Sequence, residues 1–429
     1  MTNLILIDCH DLGQHLGAYG WKTVPSPNLD ALAAAGLRFE NSFCTAPQCS
    51  PSRAALYTGR YPHATGMFGL THPPFNWRLH PDEIHLAQHL RQAGYTAALI
   101  GVQHVTTHEP EATQKLGFEQ VSMAEQASEV GDLAVAYLQN SPVQPFFLNI
   151  GFMFPHRDSH GLFKQAPPDS SLGIEVPPYL AQTPEAEAEF AELQGVIGQM
   201  DMAVGRIWQT LRDLDLLKDT WLIFTTDHGL AMPRAKCTLY DPGIEVALLM
   251  YAEPFGLVAG KVLEEMVSNV DLVPTILEML GLPTPENLQG QSFAPLLRRE
   301  SYQPRQQVFA EKTFHTAYEP QRAIRTGRYK LIWNIEAGIV NVPGDIMRSP
   351  IFPQMIQQIV VELPPFELYD LQNDPLEQRN LVDDPAHADT YRSLRQQLLA
   401  WMRETGDPIL NGPVASPFYQ RALALLTQD

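Results

Sequence analysis

A large, mostly parallel α/β sheet sandwiched by helices, followed by a smaller α+β subdomain, is the fold class this sequence predicts. Three observations carry it. Several short apolar runs read as buried strands, helical patterns lie between several of them, and after about residue 300 the runs shorten and that alternation stops.

The strand candidates are residues 4–7, 97–101, 146–152, 222–226 and 247–251, each a run of apolar side chains suited to a covered strand. Helices are predicted over 28–35, 84–93, 127–140 and 186–214, the last long and acidic at its start. Residues with chemical potential follow the strands closely, where open α/β sheets place their ligand crevice. Beyond residue 300, strands are predicted at 307–311, 322–335 and 366–371, with a helix over 388–402. Residues 338–365 hold several prolines and no clear period, and read as a loop bordering the mouth of a site. The division predicted is a catalytic part, 1–300, and a C-terminal subdomain, 301–429.

Lys and Arg total 29 against 48 Asp and Glu, a net charge of -19. This argues against non-specific nucleic-acid binding and against an anionic membrane surface, so an anionic substrate needs a local cationic pocket. The four cysteines, Cys9, Cys44, Cys49 and Cys237, are too few and too scattered for a disulfide scaffold or a zinc knuckle. Reduced thiols are expected. The first residues carry no basic leader or cleavage site and no apolar stretch spans a bilayer, so a cytoplasmic protein is the expectation.

Residues 49–60, Cys-Ser-Pro-Ser-Arg-Ala-Ala-Leu-Tyr-Thr-Gly-Arg, hold most of the functional information. Ser50 suits an N-cap, Pro51 the first helical position, and 52–57 can propagate a helix. Cys49 then sits at a helix N-terminus, where free amides and the dipole favour an anion, and Arg53 one turn on adds a cation with fork geometry for a tetrahedral oxyanion.

The same run, through Leu56, Thr58, Gly59 and Arg60, resembles the maturation and active-site signature of the type I, formylglycine-dependent sulfatases of the alkaline phosphatase superfamily, with a flavour of heparan N-sulfatase-like bacterial members. The resemblance implies that a formylglycine-generating maturation enzyme oxidises Cys49 to an aldehyde whose hydrate attacks sulfur. Four further segments match in order. In Asp8-Cys9-His10-Asp11, Asp11 matches the second of two metal-binding aspartates and His10 replaces the first; His10 is either a ligand or an imidazole beside the metal, and Asp8 either an occasional replacement ligand or, by preference, an outer partner. Asp227-His228 resembles the family's second metal pair. In Gly101-Val102-Gln103-His104, His104 is retained near the nucleophile while Val102 stands at a lysine position. His156, in Phe-Pro-His-Arg, matches a histidine that contacts sulfate and protonates the leaving group; Arg157 reads as a substrate contact or a solvated loop residue, and His108 as a surface loop residue. Lys236, in Ala-Lys-Cys-Thr-Leu-Tyr, matches a sulfate-binding lysine.

The ligand set this implies is His10, Asp11, Cys49 as its modified form, Asp227 and His228. Calcium is the usual family ion, while imidazoles at His10 and His228 suit manganese or zinc better. The implied catalytic residues are Cys49, Arg53, His104, His156 and Lys236. They would hydrolyse a sulfate ester or sulfamate on a small molecule or saccharide, with His104 as base, His156 as acid, and Arg53 and Lys236 on the sulfate oxygens. Two alternatives stay open at this point, a phosphonate monoester or phosphodiester hydrolase of the same superfamily and an unmatured, non-catalytic binding protein. Landmarks at 268–276, 288–292 and 367–375 also resemble the family, with aspartates expected to cap helices and turns.

Overall fold

A computed structural model of the chain describes residues 1–107, 109–336 and 338–427; His108 lies outside the described residues. Ten strands precede residue 300: β1 Asn3–Cys9, β2 Leu37–Phe39, β3 Ser42–Phe43, β4 Thr96–Gly101, β5 Gln120–Ser122, β6 Phe146–Phe152, β7 Thr220–Thr226, β8 Leu248–Ala252, β9 Lys261–Leu263 and β10 Val267–Ser268. Eight of them form one sheet in the order β5-β4-β6-β1-β7-β8-β2-β9, and β3 pairs with β10 in a small parallel ribbon. From β5 to β7 all pairs are parallel, and only β8 runs against both its neighbours. The predicted mostly parallel class is borne out; the strand expected over 247–251 is present but antiparallel.

Both faces of the sheet are covered, which is why its strands read as continuous apolar runs. In β1, Ile5 and Ile7 pack on one side with Leu29, Val130, Ala134 and Phe190 from the helices Pro27–Ala35, Ala127–Gln139 and Pro184–Asp213. Leu4 and Leu6 face the other side, against Leu56, Leu86, Leu90 and Ile276 from the helices Cys49–Thr58, Leu86–Gln92 and Leu272–Met279. Two-residue alternation across the strand thus feeds two cores.

Register sets the site. Cys9 pairs with Thr226 at the ends of β1 and β7, so His10-Asp11 and Asp227-His228 leave the sheet side by side. On the other flank Gly101 and Gly151 are paired, and each is held to glycine by a close approach: a Cβ at Gly101 would lie 2.0 Å from the Gly151 carbonyl, and one at Gly151 1.7 Å from that of Val102. That contact lets residues 102–104 drop over the strand ends towards β1.

After residue 300, β11 Gln307–Phe314, β12 Tyr318–Thr326, β13 Tyr329–Asn334 and β14 Phe366–Asp370 form an antiparallel meander, backed by the helix Ala388–Glu404. The single strand expected over 322–335 is two strands, because residues 327–328 make a hairpin turn in which Tyr329 N–H donates to Thr326 Oγ1 at 2.9 Å. The segment expected as a loop over 338–365 contains two helices, Gly344–Met347 and Phe352–Ile359. The second buries Phe352, Met355 and Ile359, a helical spacing that its flanking prolines obscure, in the core that also holds Phe190. Phe43, Cys44, Leu239 and Ile244 share another core with Val308, Ala310, Ala323 and Ile332, so the smaller sheet packs directly on the larger part. The landmark aspartates cap as expected: Asp271 accepts from Ser268 and Gln291 backbone amides, and Asp374 from those of Gln378 and Arg379. Among the described residues no helix is long and apolar enough to cross a membrane.

Candidate active site

Cys49 is the first residue of its helix, and all ten residues of that helix are buried. The N-cap is Gln48, not Ser50 as the sequence suggests: the Ser52 amide closes the first turn onto the Gln48 carbonyl at 3.1 Å, and Ser50 Oγ accepts from the Thr71 amide instead. Tertiary pairing therefore takes the hydroxyl that local chemistry assigned to a cap. The conclusion that depended on it survives, since Cys49 still occupies the amide-rich first turn. All four thiols are buried and free.

Around Cys49 the strand-end pairs converge. Donor atoms of His10, Asp11, Cys49 and Asp227 all lie within 4.8 Å of one another, as do those of His10, Cys49 and His104. His10 Nδ1 stands 3.0 Å from Asp227 Oδ2, while its Nε2 is buried with no hydrogen-bond partner among the described residues. His228 flanks this group, with Nε2 3.1 Å from Asp11 Oδ1 and 3.4 Å from Cys49 Sγ; it is not one of the four whose donors are mutually close. Two buried carboxylates and an orphaned imidazole nitrogen fit a divalent cation, whose charge such a set needs for compensation.

The electrostatics agree. Desolvation alone would raise Asp227, but the imidazoles of His228 and His10 and the Arg53 guanidinium hold its carboxyl far below the usual range. Burial, with Arg53 adding to it, pushes His10 down to about 3, so it is a neutral imidazole with a lone pair to offer. Arg53 itself is fully buried; its Nε donates to Asp227 at 3.1 Å and its Nη1 pairs with Asp8, so in this structure its charge serves two carboxylates. Asp8 lies outside the donor cluster, with its carboxylate bonded to Arg53, Tyr57 and Asn149.

His156 and Lys236 complete the site from two other loops. Lys236 Nζ is 2.8 Å from Asp11 Oδ2 and 3.3 Å from His156 Nε2, and its side chain is almost wholly buried. His156 Nδ1 donates to the Arg157 carbonyl at 2.6 Å, which leaves Nε2 as the atom turned to Lys236 and Asp11. Arg157 is neither a substrate contact nor solvated: its guanidinium is buried on the Ala231 and Gly161 carbonyls and on Glu189, stacked over Phe163. His104, held at φ +55°, presents its ring edge-on to His10 at 4.9 Å between centroids. Val102 is 1 % exposed in the strand-end packing, so no cation takes up the position where the resemblance has a lysine.

Three contributors escape sequence reasoning. Asp345, on the helical turn inside 338–365, places Oδ2 3.1 Å from Lys236 Nζ. His72 stacks on His104 at 5.8 Å, and burial, with Lys236 next, pushes His315 down to about 3. His315 directly follows β11 but lies beyond the strand expected over 307–311, and neither Asp345 nor His72 follows a strand or carries a spacing signal; the only hint was that 338–365 would border the mouth.

A sulfatase family model matches residues 2–282, and one described as N-sulphoglucosamine sulphohydrolase, C-terminal, matches 228–340. The chain belongs to the sulfatase family. It is 32 % identical to human N-sulphoglucosamine sulphohydrolase over 96 % of this chain and 92 % of that one, and 29 % identical to human arylsulfatase A over 92 % and 87 %. An ulvan-active sulfatase of Formosa agariphila is 28 % identical over 94 % and 80 %. The fold is shared with a putative sulfatase from Bacteroides thetaiotaomicron at a TM-score of 0.73 and 21 % identity, covering 97 % and 96 % of the two chains. It is shared also with a protein solved with its substrate D-glucosamine-2-N,6-O-disulfate, at 0.71 and 17 %, covering 96 % and 99 %. This sulfatase is accordingly a hydrolase acting on sulfuric esters, with its buried donor cluster at the carboxyl edge of the sheet where the family signature predicts it.

Proposed function

We propose that this sulfatase cleaves sulfate esters or sulfamates of saccharides, using a formylglycine made from Cys49 by a maturation enzyme. The observation that supports it most is the convergence of Cys49, in an amide-rich helical turn, with His10, Asp11 and Asp227 within one donor cluster. His10, Asp11 and Asp227, with His228 on the flank, would hold a divalent cation, which when bound supplies Lewis-acid polarisation of a sulfate oxygen. Calcium is the ion that the family resemblance implies, and the imidazole of His10 in place of a carboxylate widens the choice to manganese or zinc. Formylglycine supplies a hydrated aldehyde hydroxyl as nucleophile where the thiol stands.

The chain's own residues do the rest. Lys236 places an ammonium where the substrate's oxygens arrive, beside Asp11. Arg53 keeps Asp227 oriented through Nε, and Asp8 anchors the other end of its fork. His156 carries its Nε2 to the same side, suited to hold the proton that the leaving oxygen or nitrogen takes up. His104, whose donor atom lies within 4.8 Å of those of Cys49 and His10, is suited to take a proton from position 49.

The test is a panel of sulfated and N-sulfated saccharides, an aryl sulfate and an aryl phosphonate, offered to protein co-expressed with a maturation enzyme, with the intact mass read at position 49. Turnover of a sulfated sugar by converted protein is expected. Faster turnover of the phosphonate, the activity of a structural neighbour from Agrobacterium radiobacter with a TM-score of 0.71, 21 % identity, and coverage of 94 % and 96 %, would overturn the substrate assignment. A persistent thiol with no turnover would overturn the catalytic one.

A further inference from the structure

Lys236 has a second carboxylate on its outer side. Asp345 Oδ2 lies 3.1 Å from Nζ, and Asp345 Oδ1 accepts from the Ile346 amide at 3.1 Å. The Lys236 side chain is 2 % exposed and that of Asp345 20 %, so Asp345 is the member of the row Asp11, Lys236, Asp345 that meets incoming molecules. Donor atoms of Asp11, His156 and Asp345 lie within 4.8 Å of one another, but the ammonium of Lys236 bonds all three and so occupies the place a second metal would need, offsetting one of the two carboxylate charges.

The carboxylate is fixed in place. Ile346, Ile351, Phe352 and Met355, which follow it, are buried in the core beneath the main sheet's helices. Ser349 Oγ donates to Glu189 Oε2 at 2.7 Å, while Glu189 Oε1 takes Arg157 Nη1 at 2.5 Å. Because Arg157 follows His156, one buried glutamate ties the segment carrying Asp345 to the loop carrying His156. A group held this firmly against the anion site cannot swing away from what binds there. Among the described residues, its one ion pair is with Lys236.

We propose that Asp345 is a specificity-determining residue, which accepts a hydrogen bond from a hydroxyl or amine within one sugar ring of the scissile sulfate and rejects substrates that carry a second anion there. This rests on the saccharide reading above. A fixed carboxylate repels a second sulfate within several ångströms and rewards a donor in the same place, so the discrimination comes from a repulsive and an attractive element together. Lys236 offsets part of that repulsion, but it is already shared with Asp11 and the bound sulfate.

The experiment compares two sugars that differ by one hydroxyl exchanged for a sulfate, glucosamine N-sulfate and glucosamine 2-N,6-O-disulfate. Both are titrated by calorimetry onto metal-loaded Cys49→Ala protein, and onto the same protein carrying Asp345→Asn or Asp345→Ala, with thermal unfolding checked for each. The parent is expected to prefer the monosulfated sugar by about tenfold, and both Asp345 variants to bring the two affinities within about twofold, chiefly by tighter binding of the disulfate. An unchanged preference in the variants overturns the inference, as does an equal loss for both sugars, which would make Asp345 only a prop for Lys236. Failure of the parent to bind either sugar, or to discriminate between them, overturns it too; the hydrolase reading is judged separately, by turnover.

Discussion

Lys236 Nζ donates to Asp11 Oδ2 at 2.8 Å, joining two buried residues 225 positions apart. The ammonium partly compensates a carboxylate that a divalent cation would also claim, so the site without its cation is not left with a bare charge at Asp11. His10 Nε2 remains without a partner among the described residues.

Chelation of the divalent cation is therefore expected to abolish turnover while lowering the melting temperature by only a few degrees, because Lys236 on Asp11 and Arg53 on Asp8 and Asp227 still compensate part of the buried negative charge. Re-addition of calcium, manganese and zinc in turn, with both readouts, checks this. Full turnover in metal-free protein would remove Asp11 and Asp227 from their assigned role.

Cys49→Ala should reduce turnover to background and leave folding nearly unchanged. The residue is 2 % exposed and the substitution removes one sulfur from the first turn of a helix, at a cost on the order of 1 kcal/mol. Denaturant unfolding beside a turnover assay reads both, and hydrolysis at the parental rate would refute the nucleophile.

Arg53→Lys keeps the charge and loses the fork. A lysine cannot pair with Asp8 and Asp227 at the same time in the present geometry, so metal affinity is expected to fall by about 10- to 100-fold, with kcat/KM following it. Competition of the loaded protein against a chelator measures the first quantity directly.

Glu189→Ala should be among the most damaging changes outside the donor cluster. The residue is 2 % exposed, and its loss leaves the Arg157 guanidinium buried without its carboxylate and frees Ser349. A loss of about 3–5 kcal/mol is expected, with Glu189→Gln milder because one acceptor remains. Equal unfolding midpoints for all three proteins would contradict it.

Glu245 gives a pH-dependent prediction away from the donor cluster. Burial, and next the neighbouring Asp241, push its carboxyl up to about 8, with Arg325 and Lys330 opposing and Glu377 adding to the rise. The folded state therefore binds a proton that the unfolded chain releases near pH 4.5, and this contribution to stability fades as pH rises from there through about 8. Glu245→Gln, which cannot ionise, should gain up to a few kcal/mol, roughly 1.4 for each pKa unit of the rise, over the parent at pH 8 and little or nothing at pH 4.5. Unfolding midpoints at the two pH values give the sign.

The site was legible because most of its residues follow strands or open a helix in short, recognisable runs: His10 and Asp11 after β1, His104 after β4, His156 after β6, Asp227 and His228 after β7, and Cys49 at a helix start. The fold class was legible for the same reason, since covered parallel strands leave uninterrupted apolar runs. Asp345 and Glu189 were not. One sits on a single helical turn between prolines and the other on the buried face of a long acidic helix, and what unites them is a contact across 160 residues between Glu189 and Ser349. Ser50 shows the opposite failure, a sound local rule overridden by a partner, the Thr71 amide, that only the folded chain supplies.

Phe309 stacks on Trp401 at 4.7 Å, Arg322 Nη2 meets Asp407 Oδ1 at 3.0 Å, and Phe43 and Ile244 lie among Val308, Ala310 and Ala323. The part after residue 300 thus braces the part before it, besides bringing Asp345 to Lys236. A chain ending at residue 300 would present a raw apolar flank to the cell's quality control, so nonsense mutations that remove the meander or the helix carrying Trp401 should be as disabling as early ones, whereas loss of the last helix, Pro417–Thr427, which buries no residue, should not.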